Sequence, residues 1–356
     1  MRGLAHYRQL GAIICGLAAM QAAVAALSAF APLALASRGE GALGVGIAAA
    51  GYAAGFLLGA LRAVKAVQAI GHIRAFATFA AVSAIASLGL FGSDSLLLWA
   101  ALQLVQGFCV STLLTAGESW IADIAPAERR GALLAFYMVV SKLGQIVGPI
   151  ALAGVVPGAA SGFMIVAGLF AASLVPVSMT RRGQPTLPES SQLDFRDLWR
   201  RAPGALVASF IAGAVNGAVL QLYALFAAER SDDAGLGAAA AFNAALAIGA
   251  VLAQWPAGWI SDRLDRRTVI AALAAVGSAA SVALWLLGDI IAWPVLLVLA
   301  TVWGAGSLAF YGVAVAHAAD RSAPGQTTIM MASILVVWAV GAIIGPAIAG
   351  GLMSSP

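Results

Sequence analysis

The chain has 356 residues, of which 62% are hydrophobic and only 10% carry charge, and its mean hydropathy is +0.96. That composition leaves too little polar surface to cover a water-soluble globule, so a bilayer is the solvent these residues fit. The net charge of +4 follows from where the basic residues fall and requires no nucleic-acid partner.

A hydrocarbon core of roughly 30 Å takes about 20 apolar residues in a helix. Runs of that order recur at 11–36, 43–62, 75–92, 95–117, 131–156, 158–179, 204–227, 237–260, 268–288, 291–316 and 327–352. An all-α membrane protein of about eleven spans is therefore expected, because hydrocarbon offers no partner to an unpaired backbone amide. Forty glycines and many alanines suit helices that approach closely across small residues. The first run is longer than the apolar region of a signal peptide, which has about 7 to 15 residues, and is kept as a helix. Cys15 and Cys109 fall in separate runs without metal-ligand spacing, so neither a disulfide nor a metal is expected.

Taken in chain order, the polar connections alternate in charge. Of the 19 basic residues all but Arg38, Arg230 and Lys142 fall on one side, including Arg2, Arg62, Arg74, Arg129, Arg181 and Arg263. The positive-inside bias places that side, with the N-terminus, in the cytoplasm. The stretch 180–203 is the longest polar segment and separates a six-helix half, 1–179, from a second half, 204–356, with five helices. It ends in the amphipathic run "LDFRDLWRR", with Phe195 and Trp199 four apart, expected to lie on the membrane surface.

The halves resemble each other at a shift of about 195 residues, a duplication many transporters carry. "GQIVGPIALAG" at 144–154 matches "GAIIGPAIAGG" at 341–351. The connection between helices 2 and 3, "VKAVQAIGHIR" at 64–74, occupies the same place as the charged turn in "AQWPAGWISDRLDRR" at 253–267, with Gly71 opposite Asp265 and Gln68 opposite Asp262.

Gly258, Asp262, Arg263, Asp265, Arg266 and Arg267 are spaced like the signature G-x-x-x-D-R-x-G-R-R loop of the major facilitator superfamily, which this chain resembles over nearly its whole length. "GESWIAD" at 117–123, "RRGALLAFYMVV" at 129–140, "IGHIRAF" at 70–76 and "VAHAAD" at 315–320 look like a bacterial inner-membrane branch of mostly uncharacterised transporters. The resemblance implies two pseudo-symmetric six-helix halves. Asp265 replaces the signature glycine, and Gln68 stands where the first copy should have an acid. A twelfth helix would fall beyond residue 352, so either a truncated sequence or a protein working without that helix is expected.

By that resemblance Asp262 meets the start of helix 5 near Arg130 and Gly131, and the turn, with Gly71, Arg74 and Arg129, forms a cytoplasmic gate. The alternative is that these charges only set topology and cap helix ends. Helices 1, 4, 7 and 10 would line a central cavity. Its candidate polar residues are Gln21; Gln103, Gln106 and Thr112; Asn216, Gln221 and Tyr223; and Trp303, Ser307 and Tyr311. Each could equally satisfy a bond between helices.

Lys142 lies about eleven residues, roughly 16 Å, into helix 5 and could bind an anionic group, lose its charge by desolvation, or snorkel to the interface. Glu118 is a proton-coupling candidate or a partner for Arg129 or Arg130, and His317 with Asp320 a second coupling candidate or a pair of interfacial helix-end residues. The function expected is a secondary transporter of a small solute by alternating access, coupled to protons, with the Gly-x-x-x-Gly-Pro of helix 5 resembling that of exporting antiporters. A sensor or assembly protein that keeps the fold without transport is the alternative. The expected partners are a small solute, protons and bilayer lipid, with the chain a monomer. No cofactor, metal or catalytic constellation is expected.

Overall fold

The computed structural model describes residues 2–124, 130–179, 195–231, 236–322 and 327–354, and among them it is helical, without strands. The first half comprises α1 Arg2–Ala36, α2 Ala42–Ile70, α3 His72–Phe91, α4 Leu96–Ile124, α5 Arg130–Ile150 and α6 Ala160–Ser178. The second comprises α7 Phe195–Arg201, α8 Pro203–Glu229, α9 Leu236–Ser261, α10 Arg266–Leu287, α11 Trp293–Ser307, α12 Phe310–Asp320 and α13 Thr327–Met353. Ten described stretches are long and apolar enough to cross a membrane, and α5 adds a shorter one, Val139–Ile150. The chain is a multi-pass membrane protein.

Three elements depart from the sequence reading. The helix expected to end near residue 62 runs to Ile70, so Lys65 and Gln68 lie on α2, and the connection to α3 shrinks to Gly71. Gly71 has φ 86°, a left-handed backbone that a side chain would strain. The helix expected over 131–156 ends at Ile150, with a turn at 151–154. The run 291–316 is two helices, α11 and α12, interrupted at Leu308 and Ala309. There α10 crosses so tightly that a methyl group on Gly306 would lie 2.4 Å from the Gly277 nitrogen.

The helices fall into two compact units, Met1–Glu40 with Gly51–Ser190, and Gly41–Ala50 with Ser191–Pro356. In the first, α1 packs on α5 and α6, and α3 packs on α4 and α6. In the second, α8 packs on α13, and α11 packs on α9 and α10. The opening turns of α2 belong here, with the Leu43 amide donating to Ser354 Oγ at 3.1 Å.

The same backbone contacts recur in each unit. A methyl group at Gly55 would lie 1.8 Å from the Leu104 carbonyl oxygen, and one at Gly249 would lie 1.9 Å from that of Thr301. Likewise a methyl group at Gly144 would lie 2.4 Å from the Ala18 carbonyl oxygen and one at Gly341 2.2 Å from that of Phe210. Glycine is needed at these crossings because backbone, which cannot swing aside, occupies the space of a Cβ. The repeat visible in sequence is thus a repeat of helix contacts.

The linker residues 180–194 lie outside the described residues. Helix α7, at the linker's end, is amphipathic, as its pattern suggests: Phe195 and Trp199 are exposed. Leu198, however, is fully buried with Ala202, Ala205, Ala318, Met330 and Ile334, which anchors α7 to the second unit.

Candidate functional site

The charged turn between α9 and α10 is organised around one guanidinium. Arg266 Nη2 donates to Asp262 Oδ1 at 3.0 Å, Nη1 donates to Ser261 Oγ at 2.9 Å, and Nε donates to Asp320 Oδ2 at the end of α12. Arginine suits this position because its planar fork presents fixed donors to several acceptors at once. Arg266 is 18% exposed whereas Asp262 and Asp320 are 66% and 56% exposed. Solvent therefore weakens each pair, and what the network mainly supplies is geometry: it ties the ends of α9, α10 and α12 together.

The other charges of the turn have separate tasks. Asp265 is the N-cap of α10, its side chain accepting from the Arg267 amide at 2.7 Å, which satisfies one of the donors a helix start leaves open. The Arg263 guanidinium lies 3.7 Å from the centre of the Trp259 ring and donates to the Trp259 carbonyl at 3.1 Å. A methyl group on Gly258 would meet nothing within 4 Å. Sequence reasoning placed His317 beside Asp320; the structure gives Asp320 to Arg266. His317 is buried, and its Nε2 has no hydrogen-bond partner among the described residues. The signal for the Arg266–Asp320 pair was the acid of "VAHAAD", unreadable as a partner without knowing that α12 ends beside the turn.

At the counterpart in the first unit the described residues show no such arginine network. Gly71 is the one-residue turn and Arg74 is exposed on α3. Arg129 lies outside the described residues, as do the Arg130 side chain and the surroundings of Gly131 at the start of α5. Deeper along, Glu118 of α4 accepts from the Tyr137 hydroxyl of α5 at 2.9 Å, a contact absent from the sequence reading. Lys142 Nζ donates to Gln145 Oε1 at 3.0 Å, one turn along the same helix.

The polar residues assigned to a central cavity divide by what they bond. Gln106 Nε2 donates to the Ser83 carbonyl at 2.9 Å and to Ser87 Oγ at 2.6 Å, joining α4 to α3. Trp303 Nε1 donates to Ser281 Oγ at 2.9 Å and joins α11 to α10 in the same way. Thr112 bonds its own helix at Phe108. Ser307 sits at the α10 crossing, within reach of a methyl group on Gly277. The Tyr311 and Trp338 rings pack at a tilt of 49°, with centres 6.0 Å apart. Gln103 Oε1, Asn216 Oδ1, the Tyr223 hydroxyl and also Gln106 Oε1 are buried with no hydrogen-bond partner among the described residues. Gln21 and Gln221 are partly buried on α1 and α8. Buried polar atoms are nearly always paired, so these four orphans mark places where a bound molecule or water would be accommodated.

Comparison with known proteins accords with this architecture. The family model described as Major Facilitator Superfamily matches residues 12–346. An uncharacterised MFS-type transporter, YcaD, of Salmonella dublin is 26% identical over 353 residues, spanning 98% of this chain and 90% of the relative. Among solved structures, a mutant of the nucleoside transporter NupG superposes with a TM-score of 0.79 at 13% identity, covering 97% of this chain and 91% of that one. A bacterial homologue of the human lysosomal transporter Spinster, inward-facing and unoccupied, gives 0.79 at 14% identity over 96% and 81% of the two chains. With the family match covering all but the chain's ends, and the fold and charged turn in agreement with it, this protein belongs to the Major Facilitator Superfamily.

Proposed function

We propose that the chain carries a small solute across the bacterial inner membrane by alternating access, with its N-terminus in the cytoplasm and the halves 1–179 and 204–356 rocking about the linker 180–203. The observation that carries this reading is the repetition of backbone-level helix contacts in the two units: each is braced at its glycine crossings, and rigid halves are what rocking requires. The Arg266 network adds a stiff turn in which Asp262, two-thirds exposed, keeps carboxylate surface to offer to the positive end of a helix. In this reading Asp262 meets the start of α5 and holds one of the two states, so the turn biases their populations.

Within the solute pathway the buried amide oxygens of Gln103, Gln106 and Asn216 await a donor, and since Gln106 is already held to α3 through its Nε2, Gln103 and Asn216 are the strongest candidates for contacting cargo. They favour a solute with a few hydrogen-bond donors on an otherwise apolar body. The Glu118–Tyr137 pair is the proposed proton-responsive element, since a carboxylate joined to a phenol across two helices can reset that contact on protonation. Export is the proposed direction, from the Gly-x-x-x-Gly-Pro of α5.

The test is solute-dependent current and counterflow in proteoliposomes of the purified chain, with candidate solutes first chosen by their effect on melting temperature. A responding solute should lose flux in Gln103→Ala and Asn216→Ala, and collapse of the pH gradient should slow transport of the unaltered chain. A solute that binds yet produces neither current nor exchange would support the non-transporting sensor instead.

A further inference from the structure

Arg266 and Asp320 hold each other, whereas Arg267 and His317 beside them both turn toward the start of α8. A methyl group at Gly204, on the first turn of that helix, would have two nearest neighbours, Arg267 Nε and His317 Nε2, each at 4.0 Å. His317 is 4% exposed and its Nε2 has no hydrogen-bond partner among the described residues. Arg267 is exposed, and its hydrogen bond to Asp265 comes from the backbone amide, which leaves the guanidinium without an acceptor among the described residues. Ala202 gives α8 no side-chain cap and Pro203 has no amide, so Gly204 carries the first donor of a 27-residue helix.

The charges around this point favour an anion. Of those that act on His317, Arg321 and Arg267 outweigh Asp265 and Asp320. Both acids are already engaged: Asp265 caps α10, and Asp320 accepts from Arg266 Nε. On α7, which leads into α8, Arg201 holds Asp197 at 2.6 Å, and Arg196 and Arg200 are exposed. Outside the described residues, 180–194 set Arg181 and Arg182 against Glu189 and Asp194, and 323–326 hold no charge. In the first unit the end of α6 lies on Gly16 of α1, through Val177 and Pro176. The crossings Gly144–Ala18 and Gly341–Phe210 align Gly16 with Ala208, one turn deeper than Gly204, so a helix docked on α8 as α6 docks on α1 leaves Gly204 clear.

We propose that Gly204, Arg267 and His317 form a binding site for a phosphate-type oxyanion, free or as a phospholipid headgroup, on the charged-turn face of the second unit. The anion accepts from the Gly204 amide, the Arg267 guanidinium and His317 Nε2–H, donors on three helices that suit the separate oxygens of a tetrahedral group. Glycine at 204 admits it, since a side chain there would point between the two nitrogens. Arg267 turns outward to let it in. Once bound, the anion ties α8 to α10 and α12, whereas the Arg266 network joins α9, α10 and α12 without α8. Occupancy thereby sets how firmly the start of α8 is held, a control separate from the solute.

The test is thermal unfolding of the full chain in a neutral detergent, titrated at constant ionic strength with inorganic phosphate, chloride or dioleoyl phosphatidylglycerol. Phosphate or the lipid should raise the melting temperature, and chloride should not. A larger response to the lipid at equal phosphorus assigns the headgroup; a larger response to the free ion assigns phosphate. Arg267→Gln should weaken the apparent affinity about tenfold or more, as expected for the loss of one charge-assisted bond. Gly204→Asp places a carboxylate of the chain's own between Arg267 and His317, at a helix start that favours it. That variant should melt higher without ligand and lose its response to phosphate. An equal response to chloride, no response to phosphate or lipid, an unchanged affinity in Arg267→Gln, or a Gly204→Asp chain that melts lower than the unaltered one would each overturn the proposal.

Discussion

Arg266 and Arg38 are both arginines with several acceptors, and their acceptors set different expectations. Replacing Arg266 by Lys keeps the charge but removes the fork that reaches Ser261, Asp262 and Asp320 together. The expected result is a loss of about 1 kcal/mol in detergent unfolding, modest because the carboxylates are more than half exposed. A larger fall is expected in the transport rate, and the exchange Arg266→Asp with Asp320→Arg should restore part of it. Arg38 instead donates to the carbonyls of Phe91 and Ser93 at the end of α3, besides pairing with the 97% exposed Asp94. Arg38→Ala should lower stability by about 1–3 kcal/mol, as expected for lost hydrogen bonds to a charged group. Asp94→Ala should leave the melting temperature unchanged, and a fall in Asp94→Ala equal to that in Arg38→Ala would show that the ion pair matters more than the carbonyls. Sequence reasoning could find Arg38 and Arg230 as exceptions to a charge rule. It could not see what they bond, because Asp94 and Asp289 lie two helices away in the chain.

Helix existence was readable from apolar runs because hydrocarbon imposes their length; helix ends and interruptions were not, because neighbouring helices set them. α2 continues through Lys65 and Gln68 to Ile70, residues whose polarity suggested a loop. The break after Ser307 coincides with the crossing of Gly277 and Gly306, a contact with no local signature beyond two small residues. Glycine crossings give the sharpest prediction for an element. Gly249→Ala would place a methyl group 1.9 Å from the Thr301 carbonyl oxygen, so α9 and α11 must separate, at a cost of about 1–3 kcal/mol. Gly168→Ala, where nothing lies within 4 Å, should be neutral or stabilise α6 by up to about 1 kcal/mol through helix propensity. Thermal unfolding of both variants in one detergent decides the matter, and equal melting temperatures would refute the crossing argument.

For the molecule as a whole, the family was legible from the turn at 258–267 and the repeated Gly-x-x-x-Gly-Pro, whereas the solute was not. Solute choice depends on how each polar group is held after the helices pack: Gln106 is tied to α3 through its Nε2, a bond absent from the sequence, while its Oε1, like that of Gln103 three residues away, has no partner among the described residues. Asp262→Asn tests the proposed latch at this scale: it keeps an acceptor for Arg266 but removes the charge offered to a helix start. Conformer populations measured by double electron–electron resonance should shift toward the cytoplasm-open state, with transport impaired; identical populations and rates would leave the turn a topological device. The crossings at Gly55 and Gly249 also bear on heredity. Where main chain lies directly against main chain, nearly every missense change forces the helices apart. Descendant genes should therefore stay frozen at those two codons while drifting more freely at Gly168, where nothing lies within 4 Å, and a census of close relatives would record that contrast before any transported compound is identified.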